Sequence, residues 1–176
     1  MSRTIVAAFG SPDDARAARQ DLIGAGIPAE DLHVRGEVQG EASEERSRYW
    51  RDVLGRTDAD SERHHYYAEA ERRGNAALVI EDVEDREAAT IESTLARHGV
   101  LDIEKLADAW RAQGWRGYDQ RAPALSAQEL DDERALSSRS RASSGDVRRC
   151  VYVFSVVTAR PVGDGQRATG RPRTFN

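Results

Sequence analysis

The chain has 176 residues, of which 39% are hydrophobic and 32% charged, and a net charge of −5. That is material for one modest core, not two large ones. Its apolar runs end at about seven residues, far short of the ~20 a membrane-spanning helix needs, and one cysteine, Cys150, excludes a disulfide framework or a cysteine zinc cage.

The N-terminus, MSRTIVAAFG, lacks the long apolar run of a secretory signal, so a cytoplasmic protein is expected. Charge divides unevenly. Residues 134–176 hold nine Arg and two Asp, a net of +7; residues 1–133 hold 17 basic and 29 acidic residues, a net of −12. An acidic body repels nucleic acid over most of its surface, which makes nucleic acid an unlikely partner. Lys105 is the only lysine. The excess of Arg fits the Ala- and Gly-rich bias of a GC-rich genome better than phosphate binding.

Residues 4-TIVAAF-9 read as a short buried strand. Ser11, Pro12 and Asp14 form a helix start, followed by Ala15, Ala18, Leu22 and Ala25 on one face. Gly24 and Gly26 end that helix, and Pro28 forbids its continuation. Residues 31–35 alternate as a second strand, and 36–45 read as a Gly- and Glu-rich loop. A short amphipathic helix covers 46–55. Asp58, Asp60 and Ser61 offer caps for a helix over 61–74. Residues 76–81 are the third strand, 84–98 a helix that stops at Gly99, and 100–106 a fourth strand. The aromatic segment 107–119 closes the ordered part.

An internal repeat organises these elements. A shift of 73 positions lays Ile5 on Leu78, Val6 on Val79, Ala7 on Ile80, Ala15 on Ala88, Ala18 on Ile91, Leu22 on Leu95 and Gly26 on Gly99. After a two-residue deletion, Asp31-Leu32 meets Asp102-Ile103. Two βαβ units in tandem predict an α+β, ferredoxin-like split βαβ fold: a four-stranded antiparallel sheet with both repeat helices on one face. Chance likeness between two generic βαβ units is the alternative. Ile5, Ala7 and Phe9 point one way from the first strand, and Val6 and Ala8 the other. Both faces are apolar, so both should be buried. The 46–73 insertion, the 107–118 segment or a second subunit could cover the second face.

Three stretches resemble the bacterial YflT-type heat-induced, general stress protein family: IVAAFGSPDDARAARQDLIGAGIPAEDLHV, HHYYAEAERRGNAALVIEDVEDREAATIESTLARHG and AWRAQGWRGYD. The resemblance spans residues 3–118. Its most specific pieces are Tyr66-Tyr67 with Arg73-Gly74, and Trp110, Trp115 and Tyr118. It implies a cytoplasmic stress-associated domain with no established reaction. In that family a second stress domain of the YsnF type often follows, and 147-VRRCVYVFSVVTARPV-162 is similar to its opening. The likeness ends after Val162, which implies a truncated or frame-altered second domain. The expected layout is a domain over 1–118, a flexible Ser/Arg-rich linker over 119–146 and a degenerate tail over 147–176. The strand-like run at 150–157 could dock as an extra edge strand or stay an orphan.

Candidate sites are few. Tyr66, Tyr67, Trp110, Trp115 and Tyr118 hold most of the aromatic area; they could seal the core, anchor an interface or line a ligand pocket. Arg72 and Arg73 suit a helix C-terminus, and Arg73 beside the tyrosines could instead hold an anion. Glu62, His65 and Glu69 share a helix face but lack the further ligands a zinc site needs, so a solvated face is expected. Adjacent His64 and His65 could sense pH. Cys150 has no His or acid partner in view. The glycines at 163, 165 and 170 lack the spacing and context of a dinucleotide loop. No catalytic residue, metal or cofactor is expected. The leading expectation is a non-enzymatic stress-response protein that binds a protein partner or itself as a homodimer. The alternative is a small-ligand sensor with a Trp/Tyr pocket between the repeats.

Overall fold

A computed structural model describes residues 2–36, 43–54, 62–143 and 145–156. Strand β1 (Ser2–Phe9) leads into helix α1 (Pro12–Gly24). Ser11 caps the helix by accepting the Asp14 N–H at 3.2 Å, and Pro12 sits in the first turn, where a missing N–H costs nothing. Ala15, Ala18 and Leu22 form the buried stripe. Strand β2 (Leu32–Arg35) follows. Helices α2 (Ser43–Leu54) and α3 (Arg63–Arg72) come next, then strand β3 (Ala76–Val83) and helix α4 (Ala88–Arg97). The caps expected at Asp58, Asp60 and Ser61, and most of the 36–45 loop, lie outside the described residues.

The repeat is present in three dimensions. The Ile27 N–H donates to the Leu22 carbonyl at 3.0 Å, and the equivalent Val100 N–H to the Leu95 carbonyl at 3.1 Å. Between each pair sits a glycine with positive φ, 101° at Gly26 and 73° at Gly99, a conformation that strains any residue with a Cβ. The sheet order is β2-β3-β1-β4, antiparallel throughout. Val6 pairs with Val79, its own repeat equivalent, so the pseudo-twofold axis passes between these two valines.

Two expectations are corrected. Residues 100–106 do not form the fourth strand. Leu101 makes single bridges to Ala8 and Arg141, and helix α5 (Ile103–Ala112) begins immediately after. Asp102 caps it by accepting the Lys105 N–H at 3.1 Å. Ile103, Leu106, Ala107 and Trp110 are its buried residues, a helical period rather than a strand alternation. The fourth position in the sheet is taken by β4 (Tyr152–Val156), whose residues Tyr152 to Val156 pair with Val6 back to Ser2. The strand-like run near the C-terminus thus docks as an edge strand and completes the ferredoxin-like order.

The second correction concerns the linker. Residues 119–146 contain helix α6 (Ala127–Arg139), closed at its start by a reciprocal capping box between Ser126 and Glu129. Its buried residues are Glu133 and Ser137. Its fully buried residues are polar, and Leu136 alone of α6 packs its apolar side chain on the aromatic layer, so its composition resembles that of a linker. The short helix α7 (Val147–Cys150) connects to β4. The ordered body therefore extends to residue 156, and the tail after it lies outside the described residues.

Both sheet faces are buried, as the strand pattern requires. Ile5, Ala7, Phe9, Leu78 and Ile80 pack on α1 and α4 through Ala18, Leu22, Ile91 and Leu95. Val6, Ala8, Ala77 and Val79 pack on Trp50 of α2, Tyr67 of α3 and Leu106 and Trp110 of α5. Val6 is fully buried. The insertion and the aromatic segment cover the second face together, so no second subunit is needed there. Among the described residues no helix is long and apolar enough to cross a membrane.

Candidate functional site

The aromatic layer carries an unusual interior. Six consecutive residues of α3, Tyr66 to Glu71, are buried, because α3 has β3 on one side and α2 and α5 on others. Two of the six are glutamates. Glu69 is 1% exposed and accepts from both Arg72 and Arg73, at 2.7 Å for the closest contact of each. Glu71 accepts from the Trp50 indole at 3.1 Å, from Arg35 at 3.1 Å and from Arg46 at 3.2 Å. On α6, Glu133 accepts from the Trp110 indole with both oxygens at 3.1 Å, from Asn75 at 3.0 Å and from Arg73 at 3.3 Å. Ser137 adds a 2.8 Å bond to Asn75.

The chemistry forces this arrangement. A fully buried indole needs an acceptor for its N–H, and a buried carboxylate needs donors and a countercharge. Each Trp–Glu pair therefore draws in arginines. Arg73 also lies over the Trp110 ring at 4.9 Å, and Arg35 over Tyr49 at 3.9 Å.

All six candidate residues belong to this layer. Tyr67 is fully buried, stacks on Trp50 at 4.9 Å and donates to the Val6 carbonyl at 3.2 Å. Burial pushes its hydroxyl's pKa well above the ordinary range, so it stays a donor. Trp110 meets Trp115 edge-on at 5.5 Å. Tyr66 lies near Trp115 at 6.0 Å and receives a hydrogen bond from Arg111. Tyr118 donates to the Ser43 carbonyl at 3.2 Å and accepts from Arg46 at 3.4 Å. Core sealing thus accounts for Tyr67 and Trp110, whereas Trp115 and Tyr118 reach the surface. Arg73 is locked between Glu69 and Glu133, which removes it as a free anion ligand.

The solvated face expected for Glu62, His65 and Glu69 is also corrected at Glu69, which is interior. Among the described residues no group of His, Cys, Asp or Glu could hold a metal ion. Cys150 is buried, and desolvation, with the Asp102 carboxylate adding to it, pushes its thiol up to about 12, so it is inert as a nucleophile at neutral pH. Sequence reasoning missed Glu71, Glu133, Asn75, Arg35 and Arg46. One signal was available: α3 carries Glu between alanines and tyrosines with no clean polar face.

Clefts open beside this layer among the described residues. A cleft of about 490 Å³ has Arg72, Arg73, Trp115, Leu125 and Leu136 on its walls. Across the strand-less strap 122–125 lies a second, of about 370 Å³, lined by Arg46, Glu71, Tyr118 and Leu130. Arg72 holds that strap through the Pro123 carbonyl at 2.8 Å. The third, shallower, is walled by Ser47, Arg51, His64, His65 and Arg121. The fold and these clefts define a ferredoxin-like α+β domain with an ion-paired aromatic layer. Comparison with protein-family models, curated proteins and solved structures finds no match to the chain.

Proposed function

We propose that the chain is a non-enzymatic, cytoplasmic stress-response domain that works by association with protein, a second copy of itself being the partner its edge fits best. The resemblance to YflT-type stress proteins supports the setting. The observation that carries the mode of action is the edge strand β4. It has a neighbour only on its β1 side among the described residues, and Val153, its second residue, is 44% exposed, the one large hydrophobic in the open there. Such an edge is a template for strand pairing, and two identical edges running antiparallel make a closed, twofold contact. The buried carboxylates add support, since each is held by arginine, indole or amide donors and serves the fold.

Light scattering on the full chain tests this. A mass that doubles with concentration, and returns to monomer in Val153→Lys with an unchanged melting temperature, is expected. A monomer at every concentration, together with failure to be cross-linked to any second copy, overturns it.

A second reading has its own observation. The Trp115 indole nitrogen is buried with no hydrogen-bond partner, and Trp115 stands on the wall of the 490 Å³ cleft. A small ligand offering an acceptor would complete it. Saturable changes in tryptophan fluorescence with a metabolite, lost in Trp115→Phe, would favour this sensor reading over association.

A further inference from the structure

We propose that the shallow pocket formed by Ser47, Arg51, His64, His65 and Arg121 binds a small dianionic oxyanion of the phosphate type. The pocket has a volume of about 420 Å³, with Tyr118, Asp119 and Gln120 completing its wall. No residue of β4 lines it, and it does not depend on association.

The residues assemble from three parts of the chain. Arg51 comes from α2, the two histidines from the first turn of α3, and Arg121 from the segment after α5. Arg51 is exposed and, among the described residues, gives its guanidinium to Ser47 of its own helix, at 3.1 Å to the hydroxyl and 3.4 Å to the carbonyl. No carboxylate is paired with it among the described residues, in contrast to Arg35, Arg46, Arg72 and Arg73 in the layer below. The Ser47 hydroxyl, accepting from Arg51, keeps its own proton for a further acceptor.

The histidines are set for the same task. His65 Nδ1 accepts the Tyr118 N–H at 3.2 Å, so the neutral ring carries its proton on Nε2 as a donor. His64 lies tilted against it, with the ring centroids 4.1 Å apart, and its Nδ1 is buried with no partner among the described residues. Burial holds both rings below their ordinary pKa; the Arg51 charge adds to this for both, and the neighbouring His65 does so for His64. Glu62, before α3, acts in the opposite direction on His65, and Asp119 is the other acid on the pocket wall. Four potential cations thus face two carboxylates in a chain that is otherwise acidic. A bound dianion would satisfy Arg51, accept from the Nε2 proton of neutral His65, whose Nδ1 is engaged by the Tyr118 N–H, and favour the imidazolium form of His64 as a charge-assisted donor. Binding therefore takes up protons and strengthens as pH falls.

The experiment titrates sulfate, a dianion across the working range, into the full chain at constant ionic strength and follows the His64 and His65 imidazole resonances. Saturable shifts in both rings are expected, with the His64 pKa raised. Affinity should rise about tenfold from about pH 7.5 to about pH 5.5. Arg51→Met should weaken binding about fivefold or more without moving the melting temperature of the unliganded protein. His65→Asn, which keeps an acceptor for the Tyr118 N–H but loses the distal donor, should weaken it too while leaving the pH dependence, which His64 carries, in place. Should Arg51→Met unfold, the His65→Asn result decides. Inorganic phosphate and glycerol phosphate, run in parallel, separate a free anion from an esterified one by which competes better with sulfate. Shifts that grow linearly without saturating, or sulfate affinity unchanged in both variants, would overturn the proposal.

Discussion

The two faces of the sheet are packed by different means. On the α1/α4 face, alanine, leucine and isoleucine meet the strands, and the buried Thr94 hydroxyl is satisfied within its own helix by the Thr90 carbonyl at 2.8 Å. On the α2/α3/α5 face, Trp50, Trp110 and Tyr67 bring N–H and O–H groups into the interior. Those groups need acceptors. Glu71 and Glu133 supply them, and the carboxylates in turn need Arg35, Arg46 and Arg73. An aliphatic face is stabilised by area and shape alone. An aromatic face with polar handles commits the fold to a connected network, in which removing one member leaves the others unsatisfied.

The largest test of that contrast sets Glu133→Leu against Leu95→Ala. Glu133→Leu strips the acceptor from Trp110, Asn75 and Arg73 together and should cost about 3–5 kcal/mol in urea unfolding. Pairing it with Trp110→Phe should recover part of the loss, a coupling of about 1–3 kcal/mol. Leu95→Ala leaves only a cavity, costs about 2–5 kcal/mol, and should show no such coupling to Trp110→Phe. Equal coupling in both cycles would erase the distinction between the faces.

A smaller effect sharpens the repeat that underlies both faces. Gly26→Ala and Gly99→Ala each force a Cβ into the left-handed region and should cost about 1–2 kcal/mol apiece. The costs should add, since the two turns close different units. Gly26 has open space around it, so its cost is conformational, whereas a Cβ at Gly99 would also press on Arg141 at 3.2 Å.

The smallest effect is in the pH dependence, and it separates the faces again. His64 and His65 have folded pKa values below their unfolded ones, so their contribution is present above about pH 6.5 and is lost as pH falls through the folded values. On the other side, a hydrogen bond from His98 at 2.6 Å holds the Asp21 carboxyl below its ordinary value and ties α1 to α4. That contribution is present above about pH 4 and is lost only in stronger acid. Melting temperatures should therefore fall between neutral pH and about pH 5 in the parent chain. The fall should be shallower in His65→Asn, while Asp21→Asn should change the profile only below about pH 4.

What could be read from the sequence follows this division. The α1/α4 face was legible because burial there is aliphatic and periodic, from Ala15, Ala18 and Leu22 to Ile91 and Leu95. The matched glycines marked where each helix turns back. The aromatic residues were also visible, but their acceptors were not. Glu69 reads as part of a solvated face, and Glu71 and Glu133 carry no local mark of burial, because only neighbours in space distinguish a buried carboxylate from a solvated one. The segment 100–106 was misread because Val100 and Leu101 begin as a strand would, before Asp102 caps a helix.

By itself, then, the sequence determined that two similar strand–helix units would share one sheet with apolar side chains on both sides. Hydrophobic period and glycine placement are local, and local signals suffice for that. Only the tertiary structure decided which segment filled the fourth place in the sheet, which helices covered the second face and which charges went inside. Each of those outcomes turns on contacts between residues far apart in the chain. Val6 beneath Tyr67, Trp110 against Glu133 and Ile5 beside Val153 are examples that no local pattern encodes.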